Sequence, residues 1–337
     1  MSALSDVPDN YPLALAQAVL RFYSDFQLSI DQLRVKADQL SHPAAVWAHP
    51  TRVVADGLSV GLAVDVGKFY VRVSDQMLEH WGVDFSTMLD EVVRRRVFDQ
   101  QFGSYRFDDK RTGSALGLIA DEALIPAMFV HPPLATVLTQ PHRPVVLPLK
   151  RTECLVAREG DTVAIAQMAG DAESALSDDE SVVQTIVPQW WDGQRWWPMT
   201  WEQLGLSAER ASLLRAKWAG YAYGIHRGLL KQSLGDCSVV AKITVGIKGG
   251  AGLTSTGWVE TPIEEQVIPV ADWVAFVPTK DGAGVHPSPD RRRVIMMWSQ
   301  VRAAFGDLME PMGLAPEWYR VRAFPPYNQL AALGKVL

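Results

Sequence analysis

Leu62-Ala63-Val64-Asp65-Val66-Gly67-Lys68-Phe69-Tyr70-Val71-Arg72-Val73 is two valine-rich, alternating runs joined at Gly67-Lys68. Alternation places successive side chains on opposite faces of a strand, and a glycine at the join supplies the backbone freedom of a tight turn. The stretch predicts a β-hairpin and excludes a purely helical fold. Immediately after it, Ser74 is positioned to cap a short helix that ends at Gly82, and Phe85, Met88, Leu89 and Val92 continue in a second helix ending in Arg94-Arg95-Arg96. Basic residues in a last turn complement the helix dipole. Before the hairpin, Leu13, Ala16, Val19, Leu20, Tyr23 and Leu28 recur at helical spacing and predict an opening amphipathic helix after Pro12.

The same mixture runs to the end of the chain. Residues 114–129 predict a helix kinked at Pro126, residues 145–156 hold two apolar runs split by Lys150-Arg151-Thr152-Glu153, residues 161–168 suit helix or strand equally, and the acidic residues 170–180 suit a solvated loop. Trp190-Trp191-Asp192-Gly193-Gln194-Arg195-Trp196-Trp197 has Asp-Gly between aromatic residues, a signal for a second tight hairpin. Thr200 with Gln203 forms a capping box for a short helix. Leu214, Trp218, Tyr221, Ile225 and Leu229 mark a long helix from near Ser207. Residues 237–247, 253–260 and 272–277 read as strands, Ser288-Pro289 as the start of a final helix burying Val294, Met297, Trp298, Val301, Phe305 and Leu308, and residues 318–324 as a closing strand. The expected class is α+β, with mixed, largely antiparallel sheets and packed amphipathic helices, in two α+β blocks at 1–199 and 200–337.

Composition narrows the function classes. With 337 residues, 48% hydrophobic and 21% charged, the chain is long and apolar enough to bury a large core or two modest ones. Its net charge of −6 argues against nucleic acid as main partner, because phosphate binding draws on a basic excess. Two cysteines, Cys154 and Cys237, suit a reducing compartment. Asp6 and Asp9 replace the basic start of a signal peptide, and nowhere do eighteen apolar residues run without a charge. The expectation is a cytoplasmic protein with no membrane partner.

Three short patterns invite a catalytic or metal reading. Gly57-Leu58-Ser59-Val60-Gly61 matches the nucleophile elbow of serine hydrolases, but that elbow needs a helix after the serine, and a hairpin follows here. His226 and His286 are candidate bases that nothing in the sequence places near Ser59. Gly246-Ile247-Lys248-Gly249-Gly250-Ala251-Gly252-Leu253-Thr254-Ser255 has the glycines of a phosphate loop, but its lysine precedes them and strands flank both sides, so a hairpin turn is the main reading. Asp108-Asp109-Lys110 contains the D-x-K element of metal-dependent nucleases, for which an exposed charged turn is the main reading. The histidines at 42, 49, 80, 131, 142, 226 and 286 show no ligand spacing, and no C-x-x-C occurs, so neither a metal nor a cofactor is expected.

The tryptophans point elsewhere. Trp190, Trp191, Trp196, Trp197 and Trp201 are five of the chain's 12, and alternation in a hairpin turns one ring of each pair to the core and one outward. Core packing is the main reading and contact with a partner the functional one; these five are the candidate binding residues.

From Asp65 to Pro198 the chain resembles the DUF1444 or YtpQ-like family of bacterial proteins. The resemblance is carried by Val73-Ser74 to Trp81-Gly82-Val83 with Met88-Leu89, by Ser114-Ala115-Leu116-Gly117-Leu118-Ile119, by Val145-Val146-Leu147-Pro148-Leu149-Lys150-Arg151-Thr152-Glu153-Cys154-Leu155-Val156, and by the tryptophan hairpin. Leu149 stands where the family has a small or polar residue. The resemblance implies a cytoplasmic bacterial α+β fold, with residues 161–175 helical rather than extended, and no reaction. The functional expectation is a non-catalytic, protein-binding accessory protein. The alternatives are a hydrolase using Ser59 or the Asp108, Asp109 and Lys110 group, and an immunity or regulatory protein binding a basic partner.

Overall fold

The structure is a computed structural model and describes residues 7–41, 49–99, 117–119, 124–178, 182–235, 238–262, 265–280 and 287–337. The chain forms two compact units, Met1–Ser24 with Ala45–Ser207, and Asp25–Ala44 with Ala208–Leu337. The boundary therefore falls at Ser207/Ala208 rather than at 199/200, and Asp25–Ala44 goes with the second unit.

The first unit opens with α1 (Tyr11–Gln17), capped by Asn10, followed without a break by β1 (Ala18–Ser24). α2 (Asp25–Ser41) then leaves for the second unit. The hairpin read at 62–73 is present as β3 (Leu58–Asp65) and β4 (Tyr70–Arg72), with β2 (Thr51–Ala55) before them. β3 is the spine of this sheet: β1 pairs along one edge, and β2 and β4 share the other. Leu58, Val60, Leu62 and Val64 enter the core with Leu20 and Phe22 of β1. α3 (Asp75–Trp81) and α4 (Phe85–Asp99) follow as read. Ser74 accepts from the Met77 amide, and Gly82 takes the left-handed conformation that ends α3, where a Cβ would be strained.

The unit's second sheet has the order β5 (Gly117–Ile119), β7 (Glu153–Arg158), β6 (Pro144–Lys150), β8 (Gln189–Trp191), β9 (Trp196–Pro198), all antiparallel. Between them lie α5 (Leu124–Val130), α6 (Pro133–Thr139) and α7 (Thr162–Leu176).

In the second unit α8 (Ala208–Leu234) is the long helix expected from the Leu214 to Leu229 spacing. One sheet runs β10 (Ser238–Val240), β13 (Glu265–Pro269), β17 (Trp318–Val321), β16 (Met309–Pro311); the other runs β11 (Ile243–Lys248), β12 (Ala251–Val259), β14 (Trp273–Val277), β15 (Val294–Met297), β18 (Lys335–Val336). Only β10 with β13 and β12 with β14 are parallel among these pairs. α9 (Trp298–Phe305) and α10 (Tyr327–Leu333) complete the unit. Trp258, Val274, Phe276, Val294 and Met296 from the second sheet meet Ile268 and Val321 from the first in one core. α2 supplies Leu33 to a second cluster with Tyr223, Leu230 and Trp318, and Phe26 and Ile30 to a third around Ala222.

The α+β class is thus observed, and several local readings are corrected. The opening helix stops at Gln17, because Val19, Leu20, Phe22 and Tyr23 belong to a strand that pairs along the whole of β3. Residues 117–119 form a strand on β7, and the described helix is Leu124–Val130; Pro126 lies in the first turn of that span, where a missing N–H costs nothing and no kink is needed. Residues 170–176 are helical, with Asp171 and Glu173 on α7, so the acidic stretch is not a loop up to that point. The helix there is the one the family resemblance implied, with Asp161 as its cap. The helix read from Ser288 begins at Trp298, since Val294 and Met296 alternate into the core from strand β15, and it is not the last, because α10 follows it. Residues 237–247 are not one strand: β10 and β11 lie in different sheets. Thr200 and Gln203 do bond reciprocally, but cap a single turn rather than a helix.

Candidate functional site

A groove in the second unit begins with one missing side chain. On the buried face of β12, a Cβ at Gly252 would lie 2.6 Å from the Leu213 Cα and 2.8 Å from the Ser212 carbonyl, so only glycine lets α8 cross the strand this closely. The Ser212 hydroxyl donates to the Glu209 carbonyl and accepts from the Gly252 amide at 3.2 Å, tying helix to strand. Two residues on, the Thr254 amide and hydroxyl both donate to Asp272 Oδ2, at 2.7 and 2.8 Å, and the Asp272 amide donates back to the Thr254 hydroxyl at 2.9 Å. The Asp272 carbonyl in turn accepts from the Trp298 amide at 3.0 Å, at the start of α9. α8, β12, the entry to β14 and the start of α9 are therefore fixed around one point.

Beside that point the groove encloses about 640 Å³, within the range of ligand sites in proteins. Its walls carry Trp218, Trp273, Met297 and Trp298, with Arg215 and Asp272 as its charged groups. Trp273 and Met297 stand opposite each other in the β14–β15 register, and 37% and 43% of their surfaces are exposed. Trp218 is braced edge-on by Phe26 and stacked with Tyr221, and Trp298 rests on Tyr319. Both Thr254 donors go to one carboxylate oxygen of Asp272, which leaves Oδ1 as an acceptor at the groove wall. A smaller hollow in the first unit, about 250 Å³ between Pro8, Met77, His80 and Trp81, is below that ligand range.

The tryptophan hairpin forms as read, with Trp190 opposite Trp197 and Trp191 opposite Trp196. Trp196 is buried against Phe129 and Trp191, and Trp201 is buried with its indole donating to the Ile186 carbonyl. Trp190 and Trp197 share the other face. Arg143 lies over the first ring at 5.2 Å and Arg195 over the second at 3.3 Å, and 37% of Trp197 is exposed. Asp192 holds the turn: its carboxylate accepts from the Gln194 and Arg195 amides and from the Trp197 indole, and these bonds keep its pKa down at about 2. The hairpin thus presents an arginine-capped ring pair.

Ser59 lies within β3, buried, between Tyr23 and Val53 on the neighbouring strands, so no elbow exposes its hydroxyl. His226 is fully buried in the second unit; the Trp318 indole donates to its Nδ1 at 3.3 Å, and burial pushes its pKa down to about 4. Residues 246–255 form the β11–β12 hairpin and the strand beneath α8, with no helix to receive a phosphate. Asp108, Asp109, Lys110, His286 and Cys237 lie outside the described residues. Among the described residues no three His, Cys, Asp or Glu side chains are grouped to hold a metal ion, and no helix is long and apolar enough to cross a membrane.

Sequence reasoning missed the groove. Trp218 and Trp298 fit the apolar spacing of helices and read as core, and Asp272 and Trp273 carry no motif. Comparison with protein-family models, curated proteins and solved structures finds no match for this chain. What fold and site define is a two-unit α+β protein bearing an aromatic-walled groove with one carboxylate and one guanidinium.

Proposed function

We propose that this chain is a non-catalytic binding protein that acts as an accessory to another protein in the cytoplasm, and that it docks through the groove of its second unit. The observation that carries this reading is the exposed Trp273 and Met297 pair at the mouth of a braced groove of about 640 Å³. Large exposed aromatic side chains beside a concave wall are the usual anchors of a partner segment. Rings held from behind by Phe26, Tyr221 and Tyr319 lose little freedom on binding, which favours affinity. The Trp190 and Trp197 face of the hairpin is a second surface for the same role.

Peptides selected from a random display library on the wild-type protein test this. Affinity for Trp273→Ala should fall at least about ten-fold, on the order of 1.4 kcal/mol, with unchanged circular dichroism, while Trp197→Ala binds as wild type. A loss confined to Trp197→Ala would move the docking surface to the hairpin. Selected peptides that bind both variants undiminished would overturn the reading.

A further inference from the structure

We infer that the groove takes a basic side chain, an arginine of an extended partner segment, with its guanidinium on Asp272 and its stem along the tryptophan wall. This rests on the docking reading above and names its partner's chemistry.

Three observations carry it. First, Asp272 is oriented before any ligand arrives: Thr254 gives Oδ2 two donors, which hold the carboxylate in place, and among the described residues no hydrogen bond is made to Oδ1. A fixed acceptor at the wall of an apolar groove is matched best by a charge-assisted donor, which also offsets the carboxylate's charge as water is displaced, whereas an anionic group there would repel it. Second, the remaining wall is Trp218, Trp273, Met297 and Trp298, and indole faces attract cations, arginine more often than lysine because its planar head stacks as well as bonds. Third, the chain as a whole carries a net charge of −6, which favours approach of a basic segment over an acidic one.

The test uses the full chain and two synthetic peptides, Ac-Ala-Leu-Arg-Leu-Ala-NH2 and its citrulline counterpart, which replaces the guanidinium by a neutral urea of the same shape. Titration calorimetry should show the arginine peptide binding at least about ten-fold tighter than the citrulline peptide, and Asp272→Asn should reduce that ratio to near one. Asparagine keeps an oxygen for the Thr254 donors, so the staple survives; should the variant misfold, the wild-type ratio decides alone. Equal binding of the two peptides overturns the inference and leaves docking in the groove standing. Binding of neither overturns the inference, and the docking reading is then decided by the library experiment.

Discussion

A methyl group added at position 252 would meet the backbone of α8 at Leu213 and Ser212, atoms that cannot rotate out of the way. Gly252→Ala should therefore cost about 1–3 kcal/mol, the range of forced overpacking, and lower the denaturation midpoint; a midpoint equal to wild type would show that the helix can lift from the strand freely. His226 makes a second prediction at this scale. Its folded pKa of about 4 lies below the ordinary 6.5, so between those values the unfolded chain binds more protons than the folded one. Stability attributable to this residue is full above about pH 6.5 and is lost as pH falls toward 4, by on the order of 2–3 kcal/mol. The difference in unfolding free energy between wild type and His226→Phe, followed from pH 7 to pH 4, should shrink over that window; a constant difference would contradict the burial argument. Neither residue advertised these roles in the sequence. Gly252 read as one of several turn glycines, because the helix it accommodates passes 40 positions earlier in the chain.

Among the elements, those set by the chemistry of adjacent residues are legible in the sequence. α3 has its start at Ser74 and its end at Gly82 because capping and the left-handed glycine are chemistry of adjacent residues. The 62–73 and 190–197 hairpins are legible for the same reason. β1 and β15 read as helix because an apolar run fits either period, and the choice is made by partners outside the run: β3 for one, β14 for the other. The Asp192 turn offers the test at this scale. Asp192→Ala removes all three of its carboxylate bonds, so the Trp197 ring should become more accessible to a soluble quencher. In the wild type the same loosening should appear on acidification: with a folded pKa of about 2 against 3.8, the carboxylate's contribution is present above about pH 3.8 and lost as pH falls toward 2. Quenching that does not differ between variant and wild type would mean the indole is held by Arg195 alone.

At the scale of the whole molecule, the chain passes between its two units three times, and the second unit's cores are completed by a helix from near the N-terminus. Leu33 is 1% exposed within the cluster of Tyr223, Leu230 and Trp318. Leu33→Ala should cost about 2–5 kcal/mol as a cavity in that cluster, and a fragment of residues 208–337 should show ordered near-ultraviolet dichroism only when a peptide of residues 25–41 is added. A fragment fully ordered alone would contradict the assignment of α2 to this unit. This division could not be read from composition, because α2 follows β1 without any linker. The groove was equally hidden: Arg215, Thr254, Asp272 and Trp298 come together only through the packing of α8, β12, β14 and α9, and no spacing in the sequence records it.

The proposed docking surface is this groove rather than the tryptophan hairpin. The indole N–H resonances of the chain's 12 tryptophans separate the two surfaces in one experiment. On titration with the arginine peptide, the signals of Trp218, Trp273 and Trp298 should shift together and saturate while those of Trp190 and Trp197 stay in place; shifts at Trp190 and Trp197 with the groove signals unmoved would contradict the account.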